Sequence, residues 1–132
     1  MTIVVGYVST KEGEAALERA FEECRLRKDN LVVIHSDRGG ASLSGDSARK
    51  NEDDLKSVRS RLDEAGIEGE VRGLVRGKEP AEDLIVVAEE TDASLIIIGL
   101  RKRTPVGKLI LGSNAQRVLL DAPCDVLAVK AR

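Results

Sequence analysis

The sequence predicts an α/β fold: an open parallel sheet of five strands with helices covering both faces. Three observations carry that prediction. Four short runs, residues 3–5, 31–34, 95–98 and 126–129, are almost uninterruptedly apolar and rich in Val and Ile, the habit of strands buried on both faces. Stripes of apolar residues at helical spacing lie between the runs. The two patterns alternate as β-α-β-α-β-α-β-α-β along 132 residues, an order that favours parallel strands joined by helical crossovers.

Each element carries its own signal. Ile3, Val4 and Val5 open the chain as the first strand. Ser9 followed by Glu12 reads as a capping box, and Leu17, Ala20, Phe21 and Cys24 give the first helix its inward face. The second strand is residues 31–34. Residues 37–47 are rich in Gly and Ser, with Leu43 as their one large apolar residue, and predict a mobile loop. The second helix shows Leu55, Val58, Leu62 and Ala65 on one side, and Gly66 where a left-handed residue would end it. Asp53 and Asp54 are expected near its start, as capping residues. The third strand, residues 71–75, is weaker and more alternating. Pro80 suits the first turn of the third helix, with Ala81, Leu84, Ile85 and Ala88 turned inward. After the fourth strand a long connection runs from Gly99 to Gly112. Ser113 or Asn114 is expected to cap the fourth helix, Ala115, Val118, Leu119 and Ala122 to cover the sheet, and Pro123 to stop the helix. Residues 126–129 close the chain. No internal repeat or linker is visible, so residues 1–132 are expected to form one domain.

Composition excludes several functions. Lys and Arg number 21 and Asp and Glu 23, a net charge of −2, whereas a nucleic-acid binder shows a basic excess. Tyr7 and Phe21 are the only aromatic residues, too few for a base-stacking surface. No apolar run approaches the roughly 18 residues that a membrane helix needs, and no basic-then-apolar leader opens the chain. Neither nucleic acid nor membrane is an expected partner. Cys24 and Cys124 are too few for a disulfide framework or a four-thiolate zinc site, and a reduced, cytoplasmic setting is expected. Cys24 lies on the apolar stripe and Cys124 starts the last strand, so both read as structural. His35 is the sole histidine. Ending a buried strand, it is expected to bond backbone or a neighbouring loop. Every catalytic scheme would have to reuse it, so no catalytic residue is assigned.

The connection after the fourth strand carries the chemistry. Gly99, Gly107 and Gly112 permit tight turns or a close approach of backbone. Arg101, Lys102, Arg103 and Lys108 add four positive charges with no acid between Gly99 and Ser113, so with a net charge of −2 the rest of the chain carries −6. The segment ends at a helix start, where free amides and the helix dipole favour an anion. That focus suits a phosphate-bearing ligand. It is no P-loop, because Leu109 follows Gly107 and Lys108. The residues alone leave a second reading open: turns, a solvated charged surface, and residues 109–111 docking on the core.

The chain as a whole resembles the universal stress protein family, from Ile3 to Lys130. Ile3, Val4 and Val5, followed by Glu14, Ala15, Ala16 and Leu17, resemble the family's opening. Leu31, Val32, Val33, Ile34 and His35 resemble its second strand. Gly77, Lys78, Glu79, Pro80, Ala81 and Glu82 resemble its turn into the third helix. The stretch from Ala93 through Gly99, and Ala122, Pro123 and Cys124 with the strand after them, resemble its fourth and fifth strands.

The resemblance implies strand order 3-2-1-4-5 and a ligand site at the switch point between strands 1 and 4. It implies an adenine nucleotide, ATP with magnesium or AMP, as cofactor. Members that bind ATP carry Gly-x2-Gly-x9-Gly-Ser/Thr after the fourth strand, and Gly99, Gly112 and Ser113 match it while Lys102 stands at the second glycine. The Asn114 backbone N–H is implied to donate a hydrogen bond to phosphate, and Ser36 marks where backbone meets adenine. Those members also carry an aspartate where this chain has Val8. A valine accepts no hydrogen bond, and losing such a partner costs about 1–3 kcal/mol, roughly 10- to 150-fold in affinity. The family further implies a homodimer paired through the last strand, Asp125 to Lys130. Three functions follow: a cytoplasmic stress-response module that binds adenine nucleotide weakly; a nucleotide-independent dimeric interaction module; or a slow ATP hydrolase or autophosphorylating protein, with Ser113 and Thr104 as phosphate acceptors.

Overall fold

The computed structural model describes residues 1–8, 10–37, 45–75, 79–100 and 112–131. Their elements are β1 (Thr2–Tyr7), α1 (Lys11–Arg27), β2 (Asn30–Asp37), α2 (Gly45–Ala65), β3 (Gly69–Val75), α3 (Pro80–Glu90), β4 (Leu95–Leu100), α4 (Ser113–Asp121) and β5 (Asp125–Lys130). The sheet runs β3-β2-β1-β4-β5, and every pairing is parallel. This is the order the resemblance implied.

The continuous apolar runs divide between two cores because successive side chains leave a strand on opposite faces. Ile3, Val5, Leu31, Val33 and Ile97 pack against Leu17, Phe21 and Cys24 of α1 and Val58 and Leu62 of α2. Val4, Val32, Ile34, Ile96 and Ile98 pack against Ala81, Leu84 and Val87 of α3 and Val118 of α4. Each fully buried side chain of this size contributes about 1.5–3 kcal/mol of transfer free energy. Burial pushes the Cys24 thiol up to about 11, with Asp29 and Glu23 adding to the shift, so Cys24 is a core side chain and not a nucleophile.

Several local expectations are corrected. The cap of α1 is Thr10, in extended backbone, whose Oγ1 accepts the Gly13 amide at 3.2 Å; Ser9 lies outside the described residues. Residue 37 belongs to β2 and α2 already begins at Gly45, so only residues 38–44 of the expected loop remain, outside the described residues. Asp53 and Asp54 therefore sit in the middle of α2 rather than at its start, and Asp54 Oδ2 faces His35 Nε2 at 3.9 Å. In α3, Val87 is fully buried while Ile85 is only partly so. The cap of α4 is Gly112, not Ser113 or Asn114. That helix turns its polar side toward α3, so Leu119, about 100° round from Val118, is 42% exposed. Gly66, at φ 69°, ends α2 as expected, and Pro80 stands in the first turn of α3.

Two glycines let α1 sit against the strand ends. A Cβ on Gly13 would lie 1.8 Å from the Val8 carbonyl oxygen, and one on Gly99 would lie 2.1 Å from the Glu12 carbonyl oxygen. Backbone atoms cannot yield as flexible side chains do. Gly13→Ala is therefore expected to destabilise the fold by about 1–3 kcal/mol or more. An unchanged denaturation midpoint would show that α1 does not make this approach.

Candidate functional site

A cleft of about 610 Å³ opens where the chain leaves β1 toward one side of the sheet and β4 toward the other. In open α/β sheets ligands bind at such a reversal. Its floor is Gly6, Tyr7 and Val8 at the end of β1 and Gly99 and Leu100 at the end of β4. Ile34, Leu84, Ile98 and Val118 give it one apolar side. The rest is made of three helix amino ends: Glu12 and Gly13 of α1, Pro80 and Ala81 of α3, and Gly112, Ser113 and Asn114 of α4.

Those three ends differ in what they offer. Glu12 and Glu14 occupy the first turn of α1, and Thr10 takes its Gly13 amide. Glu82 and Asp83 occupy the first turn of α3. Pro80 has no amide hydrogen, and the Ala81 amide donates to Asn114 Oδ1 at 3.2 Å. The start of α4 has neither an acid in its first turn nor a side-chain cap. Its helical bonding begins with Gln116 N–H donating to the Gly112 carbonyl at 3.0 Å. The amides of Ser113, Asn114 and Ala115 precede that bond and so have no acceptor inside the helix. An anion at such an end gains typically 0.3–1 kcal/mol, and up to about 2 where partly buried.

The structure brings Val8, Gly99, Gly112, Ser113 and Asn114 together around this cleft. Ser36 lies in β2, paired with Leu74 of β3. Lys102, with Arg101, Arg103, Thr104, Gly107 and Lys108, lies outside the described residues. The glycines differ in what they permit. Gly99 is small because α1 covers it, and Gly112 has φ −69°, open to any residue. Asn114 was expected to act through its backbone or as a cap of its own helix, but its side chain reaches α3.

His35 belongs to the other face. It lies beside Tyr7 in register, with ring centroids 6.1 Å apart, and Asp54 is its facing carboxylate. Tyr7 donates its hydroxyl to Glu14 Oε1 at 2.8 Å, and Arg61 of α2 reaches Glu14 Oε2 at 2.9 Å. The arrangement ties α1 and α2 to the sheet. Among the described residues no group of three or more His, Cys, Asp or Glu is placed to hold a metal, and no helix is long and apolar enough to cross a membrane.

Sequence reasoning passed over Glu12 and the α3 amino end as parts of the cleft. Glu12 had been read as half of a capping box, and Pro80 only as a helix start.

Comparison with known proteins agrees with this architecture. The model of the universal stress protein family matches residues 1–130. A universal stress protein of Mycolicibacterium smegmatis is 43% identical over 97% of this chain and 96% of its own length. The structure of a universal stress protein from Archaeoglobus fulgidus superposes with a TM-score of 0.84 at 41% identity, covering 98% of each chain. A structure of the universal stress protein from the same organism in complex with dAMP has a TM-score of 0.78 at 35% identity, again over 98% of each chain. With its strand order, its cleft at the sheet's reversal and these relatives, the chain belongs to the universal stress protein family.

Proposed function

We propose that this protein is a small cytoplasmic stress-response module whose cleft binds an adenine nucleotide, ATP or AMP, weakly. The observation that carries the reading is the amino end of α4, which among the described residues has no acid in its first turn and no side-chain cap, beside two helix ends already occupied by acids and caps. The phosphate takes the amides of Ser113 and Asn114, with Gly112 leading into them and Gly99 opposite. The apolar side made by Ile34, Leu84 and Ile98 receives the base. A volume of about 610 Å³ falls within the range of about 300–1,000 Å³ usual for small-molecule sites. A relative 35% identical to this chain was solved in complex with dAMP, which supports the same ligand class here. A magnesium ion would enter with ATP, held by its phosphates.

Val8 favours weak binding, because it puts a methyl-bearing side chain, 41% exposed, at the end of β1 in the cleft. The same residue favours a second reading, a nucleotide-independent interaction module. Calorimetry with AMP and with ATP, with and without magnesium, separates the two. The nucleotide reading expects dissociation constants below about a millimolar, and Val8→Asp strengthening AMP binding by about tenfold through a restored acceptor. Absence of heat with either nucleotide would leave the interaction module standing.

We further propose a two-fold symmetric homodimer paired through β5 (Asp125–Lys130). β5 ends the strand order, so one side of its hydrogen-bonding ladder is open to a partner. Sedimentation at tens of micromolar is expected to give twice the monomer mass, and a monomer there contradicts the pairing.

A further inference from the structure

The amino ends of α3 and α4 are fastened by two contacts one helical turn apart. Asn114 Oδ1 accepts the Ala81 amide at 3.2 Å, and Asn114 Nδ2 donates to Glu79 Oε2 at 3.3 Å. One turn along α4, Arg117 Nη1 donates to Glu82 Oε1 at 2.7 Å. The cap residue of α3, Glu79, makes no side-chain capping bond, and Pro80 has no amide hydrogen to offer. The Ala81 amide is thus the first donor of α3 inside the helix, and a side chain from 33 residues further along satisfies it. Ala81 is fully buried, so this amide has no water to fall back on.

The consequence falls on α4. A side chain engaged at both its polar ends fixes the rotation of the helix turn that carries it. That turn also carries the amides of Ser113, Asn114 and Ala115, which have no acceptor inside the helix. Hydrogen bonds to an anion need both distance and alignment. Holding the amides in one orientation removes part of the ordering cost of binding. Asparagine meets the geometry because it offers an acceptor to Ala81 and a donor to Glu79 on one short side chain.

We propose that Asn114 is a positioning residue of the cleft: its side chain, held by the start of α3, aims the α4 amides at the phosphate of an adenine nucleotide without itself touching the ligand. This rests on the nucleotide reading above, and it adds a role that the backbone amide of Asn114 does not have.

The test compares AMP with adenosine, which shares everything but the phosphate. Calorimetry on Asn114→Ala is expected to show AMP binding weakened about tenfold and adenosine binding unchanged. Hydrogen exchange at the Ala81 amide is expected to speed up with no ligand present. Equal losses for AMP and adenosine would mean a general structural role and overturn the proposal, as would AMP affinity kept within twofold. If the unaltered protein binds neither ligand, the nucleotide reading fails and the positioning role falls with it. A slow Ala81 amide that quickens in the variant would still distinguish that outcome from a missing α3–α4 contact. Should Asn114→Ala fail to fold, a double-mutant cycle of Asn114→Asp with Glu79→Gln serves. The first change faces Glu79 with a like charge, and the second returns a donor to it. AMP affinities that couple, with the double variant tighter than the two single effects predict, support the positioning role, and simple additivity overturns it.

Discussion

The close seating of α1 on the ends of β1 and β4 is the constraint on which the site depends. Two backbone carbonyls, of Val8 and Glu12, occupy the places where Cβ atoms of Gly13 and Gly99 would stand. Any larger residue at either glycine pushes the helix off the sheet. With α1 in place, β1 and β4 end side by side, their following segments part, and the cleft opens between them. The parallel ladder sets the other boundary. Because all strands run the same way, α1, α3 and α4 each bring an amino end to this edge of the sheet.

Three helix ends in one cleft would be three equivalent anion seats if their sequences were alike. They are not alike. Acids and a threonine cap complete α1, acids and a borrowed asparagine complete α3, and among the described residues α4 has neither an acid in its first turn nor a side-chain cap. A net charge of −2 does not oppose the proposed phosphate site, because binding responds to local amides and dipoles more than to the total charge. The division of labour between the faces follows the same alternation of side chains. Ile34 lines the cleft, while its neighbour His35 turns to Tyr7 and Asp54 on the α1 and α2 side. The lone histidine thereby serves packing between helices and sheet.

Much of this was legible in the sequence, for identifiable reasons. The apolar runs were continuous enough to read as strands, and each falls within a strand of the structure; residues 126–129, in the strand that ends the sheet, are only partly buried rather than sealed on both faces. The stripe of α1 was read correctly to the last residue because the helix lies flat on the sheet and is sealed along its length. Caps were read less well. Ser9 and Thr10 are adjacent hydroxyl residues, and only the extended backbone of Thr10 and the contact with Gly13 decide between them. Leu119 and Asn114 fail for one reason: the rotation of α4 is set by α3, through Glu79, Ala81 and Glu82, and no local pattern reports a partner more than 30 residues away. Of the residues the resemblance named, Val8, Gly99, Gly112, Ser113 and Asn114 line one cleft, Ser36 is not among its lining residues, and Lys102 lies outside the described residues. The resemblance gave no hint that Gly99 answers to α1 or that the Asn114 side chain turns away toward α3.

Of the three helix ends that meet in the cleft, the α4 amino end is the one proposed to receive the phosphate of an adenine nucleotide. Titrating isotope-labelled protein with AMP while following backbone amide resonances tests it directly. Saturating shifts are expected at Ser113, Asn114 and Ala115, with inorganic phosphate moving the same amides in the same direction. Shifts centred on Glu12 and Gly13 or on the start of α3, with the α4 amides still, would contradict it.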